Sequence, residues 1–198
     1  MARFNYIQIH KAIAKSKIGE KRVRTAWENR VEGNKSLLLK EFDEHPVTQE
    51  IKAGPAPSTK NISETLGGEG NLFSFLGFNA GDNPTDRVRD VLETQVRLAT
   101  GVKKEPKSNS VRFRFSLRIP TQEINAASPM TWESGKSWVN AIEKGVSGFS
   151  HYLWKKFIGP ASRSFYGIQT ENTVRGGDFV KRDYLKEIFR NFVSRLVK

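Results

Sequence analysis

Apolar and polar residues alternate without a break from Val111 to Ile119. Val111, Phe113, Phe115, Leu117 and Ile119 fall on one side, and Arg112, Arg114, Ser116 and Arg118 on the other. A period of two predicts a strand with one buried and one basic face, ended by Pro120. Between Pro84 and Thr100 the period changes, with Val88, Val91, Leu92, Val96 and Ala99 recurring at helical spacing. Asn83 stands in the capping position, Pro84 at the first helical position, Asp86 in the first turn and Gly101 at the end. This helix is expected to pack against the sheet that holds Val111 to Ile119, with the charged VKKEPKSNS as the linker between them. Arg182 to Val197 predicts a second amphipathic helix, with Leu185, Ile188, Phe189, Phe192, Val193 and Leu196 on one side.

The chain before residue 45 reads as helix from Arg3 to about Glu44. Gly19 and Gly33, each about 1 kcal/mol less favourable than Ala in a helix interior, predict a break or a bend. His45-Pro46 ends it, because the residue before proline is pushed out of the α region. Val47 to Ile51 reads as a short strand with Val47, Gln49 and Ile51 on one face, and Ala53 to Lys60 as a proline- and glycine-rich loop. Ser137 caps a short helix through Lys144, and Phe149 to Phe157 and Ser162 to Thr170 are further strand candidates. The expected class is α+β: a long N-terminal helix, a small antiparallel sheet with an embedded helix, and a C-terminal amphipathic helix. Residues 1–198 form a single domain, with a helical arm over 1–44, an α+β core over 45–175 and the C-terminal helix over 176–198.

One stretch departs from both periods. Asn61 to Phe78 joins Gly67, Gly68 and Gly70 to an apolar run that carries no charge after Glu69. Read as a strand, it turns Phe73 and Phe75 to one side and Leu72, Ser74 and Leu76 to the other, so both sides require cover. That cover is either an internal hairpin of the domain's own core or another chain. The second reading makes Leu72, Phe73, Phe75, Leu76 and Phe78 a subunit interface.

Charge is segregated along the chain. Residues 1–40 carry ten Lys/Arg against three acids, residues 41–100 five against ten, and residues 101–198 eighteen against eight, for a net +12. Two basic segments flanking an acidic middle suit head-to-tail attraction between copies as well as a polyanionic partner. Lys15, Lys17, Lys21, Arg22 and Arg24 read as a solvated helix face in preference to a nucleic-acid patch. Arg112, Arg114 and Arg118 are candidate contacts to phosphates or to an acidic partner surface.

Candidate catalytic chemistry is sparse. The chain has no cysteine, which excludes disulfides, thiolate metal sites and cysteine nucleophiles. His10, His45 and His151 lack any metal-ligand spacing, and the glycines at 67, 68 and 70 are followed by neither Lys-Ser nor Lys-Thr, so no phosphate-binding loop of the Walker kind is present. Asp43, Glu44 and Glu50 read as solvated carboxylates near a turn. No apolar run reaches the roughly 18 residues of a membrane helix, and the first residues lack the apolar core of a signal peptide. No enzyme activity, cofactor, metal or membrane partner is expected, and the chain reads as soluble at synthesis in the cytosol.

HPVTQEI, TLGGEGNLFSFLGF, FRFSLRIPT and TWESGKSWVNAIEKGVSGFSHYLW, taken in order over roughly residues 35 to 170, resemble virion proteins at the head-to-tail junction of tailed bacteriophages, of the neck or tail-completion kind. The resemblance implies a non-enzymatic subunit of a homo-oligomeric ring around the DNA channel, located in the virion after synthesis in the host cytoplasm. Its implied partners are copies of itself and other neck, portal-side or tail proteins, with non-specific DNA contact. The alternative class is a basic, sequence-independent nucleic-acid-binding protein.

Overall fold

The structure is a computed structural model that describes residues 12, 16–55, 62–66, 71–106, 111–131, 134–145 and 179–197. Helix α1 (Lys17–Glu44) starts where the Ser16 side chain accepts the Gly19 N–H, and it continues unbroken through both Gly19 and Gly33. Nothing lies within 4 Å of where a Cβ would stand at Gly33, so no close approach requires a glycine there. All its fully buried residues, Val31, Leu38, Leu39 and Phe42, lie in its second half.

His45 adopts extended angles, ends α1, and accepts the Val47 N–H on its Nδ1 at 3.2 Å. The chain then forms helix α2 (Pro46–Lys52) where a strand was expected. Proline at the first helical position is preorganised for a helix, and Val47 and Ile51, four apart, share a helical face as readily as a strand face. Thr48 and Glu50 are buried with them, a pattern that alternation does not produce.

The apolar run is also helical. Asn71 accepts the Ser74 N–H on Oδ1 at 3.1 Å and starts the one-turn helix α3 (Leu72–Phe75), after which Gly77 turns the chain at φ 72°. Leu72, Phe73, Phe75, Leu76 and Phe78 are each at most 5% exposed, within the subunit's own core. Both sides of the run are therefore covered, as its composition requires, but by the same chain. Phe73 packs on Phe78 at 5.5 Å between ring centroids, Phe78 meets Trp138 edge-on at 6.2 Å, and Phe75 stacks on Phe179 at 5.5 Å. These five side chains leave almost no surface for a neighbouring subunit. The glycine turn at 67, 68 and 70 lies outside the described residues, as do the strand candidates at 149–157 and 162–170.

Helix α4 (Pro84–Gln95) has Pro84 and Asp86 in their expected places, but the Asn83 side chain makes no capping bond. The helix stops five residues short of Thr100. Val96 turns extended and buried, and β1 (Arg97–Pro106) takes up residues expected to finish the helix and begin a linker. Pairing with β2 (Val111–Arg118) overrides the helical spacing there. The two strands are antiparallel and form a two-stranded ribbon, which packs on α1 instead of on α4. Helices α5 (Thr121–Ala127) and α6 (Trp138–Lys144) follow. The Ser137 hydroxyl accepts the Asn140 N–H at 3.2 Å to cap α6, and lies 2.6 Å from the Ser128 hydroxyl.

The last helix, α7 (Tyr184–Val197), runs antiparallel to α1, with Tyr184 near the end of α1 and the Arg195 carbonyl accepting from Arg30. Leu185, Ile188, Phe189, Phe192 and Leu196 are buried as expected, and Val193 is 40% exposed. The core thus lies between the second half of α1 and the helices α2 to α7, α5 contributing Ile124.

One buried carboxyl group ties these parts together. Glu50 is fully buried, and its two oxygens accept the Ser63 and Leu72 N–H groups, both at 2.7 Å. It is not the solvated group its neighbours in sequence suggested. Glu50→Ala would strand two buried backbone donors at roughly 1–3 kcal/mol each, and it is expected to lower the urea midpoint far more than Glu44→Ala at an exposed site. Serine at both Phe73 and Phe75 should abolish cooperative unfolding by circular dichroism, because two buried rings lost from one core cost roughly 3–5 kcal/mol apiece.

Candidate functional site

The ribbon is the feature of the described structure that the core does not explain. Its base is held to the main cluster by Leu98 and Leu117, while Val111, Phe113 and Phe115 are half-buried and stand outside that cluster. A break in register sets Ala99, Thr100 and Gly101 out of the ladder between Leu98 and Val102. Residues at such a bulge lose their cross-strand partners, and the Arg24 guanidinium supplies replacements. It donates to the Ala99 carbonyl at 3.3 and 3.4 Å and to the Thr100 carbonyl, and lies 5.7 Å over the Phe115 ring. Trp27, three residues on, meets Phe115 at 6.4 Å, and Glu20 pairs with Lys104 at 2.6 Å. Arg24 is thus neither a solvated charge nor a phosphate ligand but the anchor of the ribbon. No composition or spacing signal distinguishes it from Lys21 or Arg22, both exposed.

Alternation along β2 places Arg112, Arg114 and Arg118 on the outer face, all exposed, and Val111, Phe113, Phe115 and Leu117 toward α1. Ile119, the fifth expected inward residue, lies past the strand end and is exposed. Register brings two cations of β1 to the same outer face: Arg97 stands directly opposite Arg118, and Lys103 opposite Arg114. Glu105 faces Arg112 but pairs diagonally with Arg114 at 3.1 Å, and Glu123 on α5 pairs with Arg118 at 2.5 Å. The Glu123 carboxyl is held below its ordinary pKa first by its own backbone N–H and then by the Arg118 bond, with the Arg118 and Arg97 charges adding to this against a smaller effect of burial. Sequence reasoning identified the β2 arginines but missed Arg97 and Lys103. Those two were assigned to a helix and a linker, and only pairing reveals their face.

Two other places bring polar side chains together. A surface pocket of about 210 Å³ is lined by Phe78, Asn83, Arg87, Met130, Thr131 and Trp138 among others. The buried indole N–H of Trp138 has no hydrogen-bond partner among the described residues, and the two polar side chains of the lining that could do chemistry are engaged with backbone: Thr131 donates to the Leu76 carbonyl at 2.8 Å and Asp82 accepts the Asn79 N–H at 2.7 Å. At the end of α1, His45 packs on Tyr184 at 4.8 Å, and the Tyr184 hydroxyl lies 2.6 Å from that of Thr48. Burial pushes the Tyr184 phenol up, out of any physiological range. Asp43, facing Lys52 at 2.6 Å and Arg89 at 3.2 Å, is raised by burial but lowered further by those two bonds and charges, so that it lies below the ordinary carboxylate value on balance. Among the described residues no three His, Asp or Glu side chains gather to hold a metal, and no helix is long and apolar enough to cross a membrane.

Comparisons with protein-family models, curated proteins and solved structures find no match to this chain.

Burial lowers the His45 pKa below the usual histidine value, with the Glu187 charge opposing it and the Arg182 charge adding to it. Because the folded state resists protonation here, stability is full above about pH 6.5 and falls as pH drops from there toward the depressed folded value. His45→Asn keeps a cap acceptor for the Val47 N–H without a titrating ring. Urea midpoints measured at pH 7.5 and 5.5 should fall less on acidification in this variant than in the wild type.

Proposed function

We propose that this chain is a non-enzymatic structural subunit of a tailed-bacteriophage virion, forming with copies of itself the neck ring that joins head to tail around the DNA channel. The observation that carries the assembly part of this reading is the ribbon's inner face, where Val111, Phe113 and Phe115 are half-buried outside the main core. Aromatic residues at the centre of a contact, with charges at its rim, are the usual composition of a subunit interface. Covering these side chains with a neighbour removes apolar surface that the core leaves in part to water. The phage assignment rests on the order of sequence segments that resemble neck proteins.

The reading moves the expected interface from Leu72, Phe73, Phe75, Leu76 and Phe78 to the ribbon and the first half of α1. Exposed Ile18 on that half adds an apolar position near the ribbon's end of α1, since the Glu20 pair with Lys104 lies one turn or less away. Phe115→Asp should detach the ribbon from Trp27 without unfolding the core, to which Phe115 does not belong.

Native mass spectrometry of the purified chain without nucleic acid provides the test. The wild type should form a closed homo-oligomer. Serine at both Val111 and Phe113, which removes roughly 2 kcal/mol from each contact, should weaken association by about 30-fold while leaving the circular dichroism spectrum and urea midpoint near wild type. A wild type that stays monomeric at high micromolar concentration, or a double variant that assembles equally well, would overturn the assembly reading.

A further inference from the structure

We infer that the outer face of the ribbon is a binding surface for the phosphate backbone of duplex nucleic acid, built from Arg97, Lys103, Arg112, Arg114 and Arg118. The inference goes beyond assembly, since it concerns the opposite face of the ribbon and holds for a monomer as for a ring. Its first support is the register. Arg97 against Arg118 and Lys103 against Arg114 are like charges placed directly across the ladder, an arrangement that destabilises a sheet and that a fold-only requirement would replace with opposite charges. Glu105 and Glu123 offset part of this, but Lys103 and Arg112 form no ion pair among the described residues.

The second support is what the face lacks. The remaining outward residue of β2 is Ser116, and no apolar side chain interrupts the cations between Arg112 and Arg118. A protein partner would ask for an apolar centre depleted of charge, and the outer face offers the reverse. Spacing completes the argument. Alternate residues of a strand stand about 6.8 Å apart, so Arg112 to Arg118 spans about 20 Å, close to the rise of six base pairs at about 3.4 Å each. With Arg24 fixing the ribbon to α1, the row of cations is held in place before a ligand arrives.

The test is a titration of the full chain with a fluorescent 30-base-pair duplex of random sequence at several salt concentrations, beside the variant Lys103→Gln/Arg112→Gln/Arg114→Gln. Neutralising about four phosphates gives a slope near −3.6 of log affinity on log salt, or roughly a 100-fold loss between 50 and 200 mM. The ribbon variant should bind at least tenfold more weakly at 50 mM salt, with a shallower slope. The charge-matched control Lys40→Gln/Arg87→Gln/Arg190→Gln, at exposed sites away from the ribbon, should bind like the wild type. Equal loss in both variants would mean attraction by net charge alone and would overturn the assignment. So would failure of the wild type to bind duplex at 50 mM salt, or capture of a polyglutamate chain at least as tightly as duplex, which marks an acidic protein as the occupant. Native mass spectrometry of the same ribbon variant separates the two readings: a ring that has lost duplex binding leaves assembly intact, and a monomer that binds duplex leaves this inference standing without the ring.

Discussion

Much of the described structure depends on a carboxyl group that never reaches water. Glu50 sits on α2, and its two oxygens hold the backbone at Ser63 and at Leu72, the first residue of α3. A buried acid with no ion-pair partner among the described residues is tolerable only when hydrogen bonds replace its hydration, and the free N–H groups at the start of a helix are suited to this. The bond to Leu72 joins the Asn71 cap in fixing where α3 begins, and α3 carries the rings that fill the centre of the molecule. From Phe73 the contacts pass through Phe78 and Trp138 to Tyr184, and from Tyr184 to Phe42 on α1. The placement of one carboxyl group thus sets the origin of an aromatic chain that joins α1, α3, α6 and α7.

A different interaction governs the other end of α1. The helix is long enough to serve two structures: its second half is part of the core, while its first half has no fully buried residue. There Arg24 takes the carbonyls freed by the bulge in β1 and covers Phe115, so a cation performs the task that apolar burial performs elsewhere. Guanidinium suits this role because it offers several planar donors and a flat face for an aromatic ring at once. Burial at the ribbon is correspondingly partial: Val111, Phe113 and Phe115 are half-buried where the core side chains are buried.

The sequence made the elements with a single clean period legible. Val111 to Arg118, Ser137 to Lys144 and the C-terminal helix stand where alternation, capping and amphipathic spacing put them. The errors fall where two periods fit the same letters. Val47 and Ile51 satisfy both a strand and a helix, and Pro46 decided for the helix; Val96 satisfies both, and pairing with β2 decided for the strand. For the apolar run at 72–78, composition correctly demanded cover on all sides but could not say whose. An uncharged segment that the chain buries itself looks the same in one dimension as a segment that a neighbour buries. Half of the ribbon's outer face was legible in β2 alone, and the other half required the register.

Placing an apolar face and a cationic face on opposite sides of one ribbon has a geometric consequence under the proposed reading. A strand pair has no freedom to turn one face without the other, because side chains alternate strictly across it. If a neighbouring subunit covers Val111, Phe113 and Phe115, the direction of Arg112, Arg114 and Arg118 is thereby set relative to that neighbour. In a closed ring the same direction repeats at every subunit, so separate weak phosphate contacts act on one duplex at high effective concentration. Each contact can then remain weak and salt-sensitive on its own. Such an arrangement would hold a duplex without reading its sequence, because every sequence presents its phosphates alike.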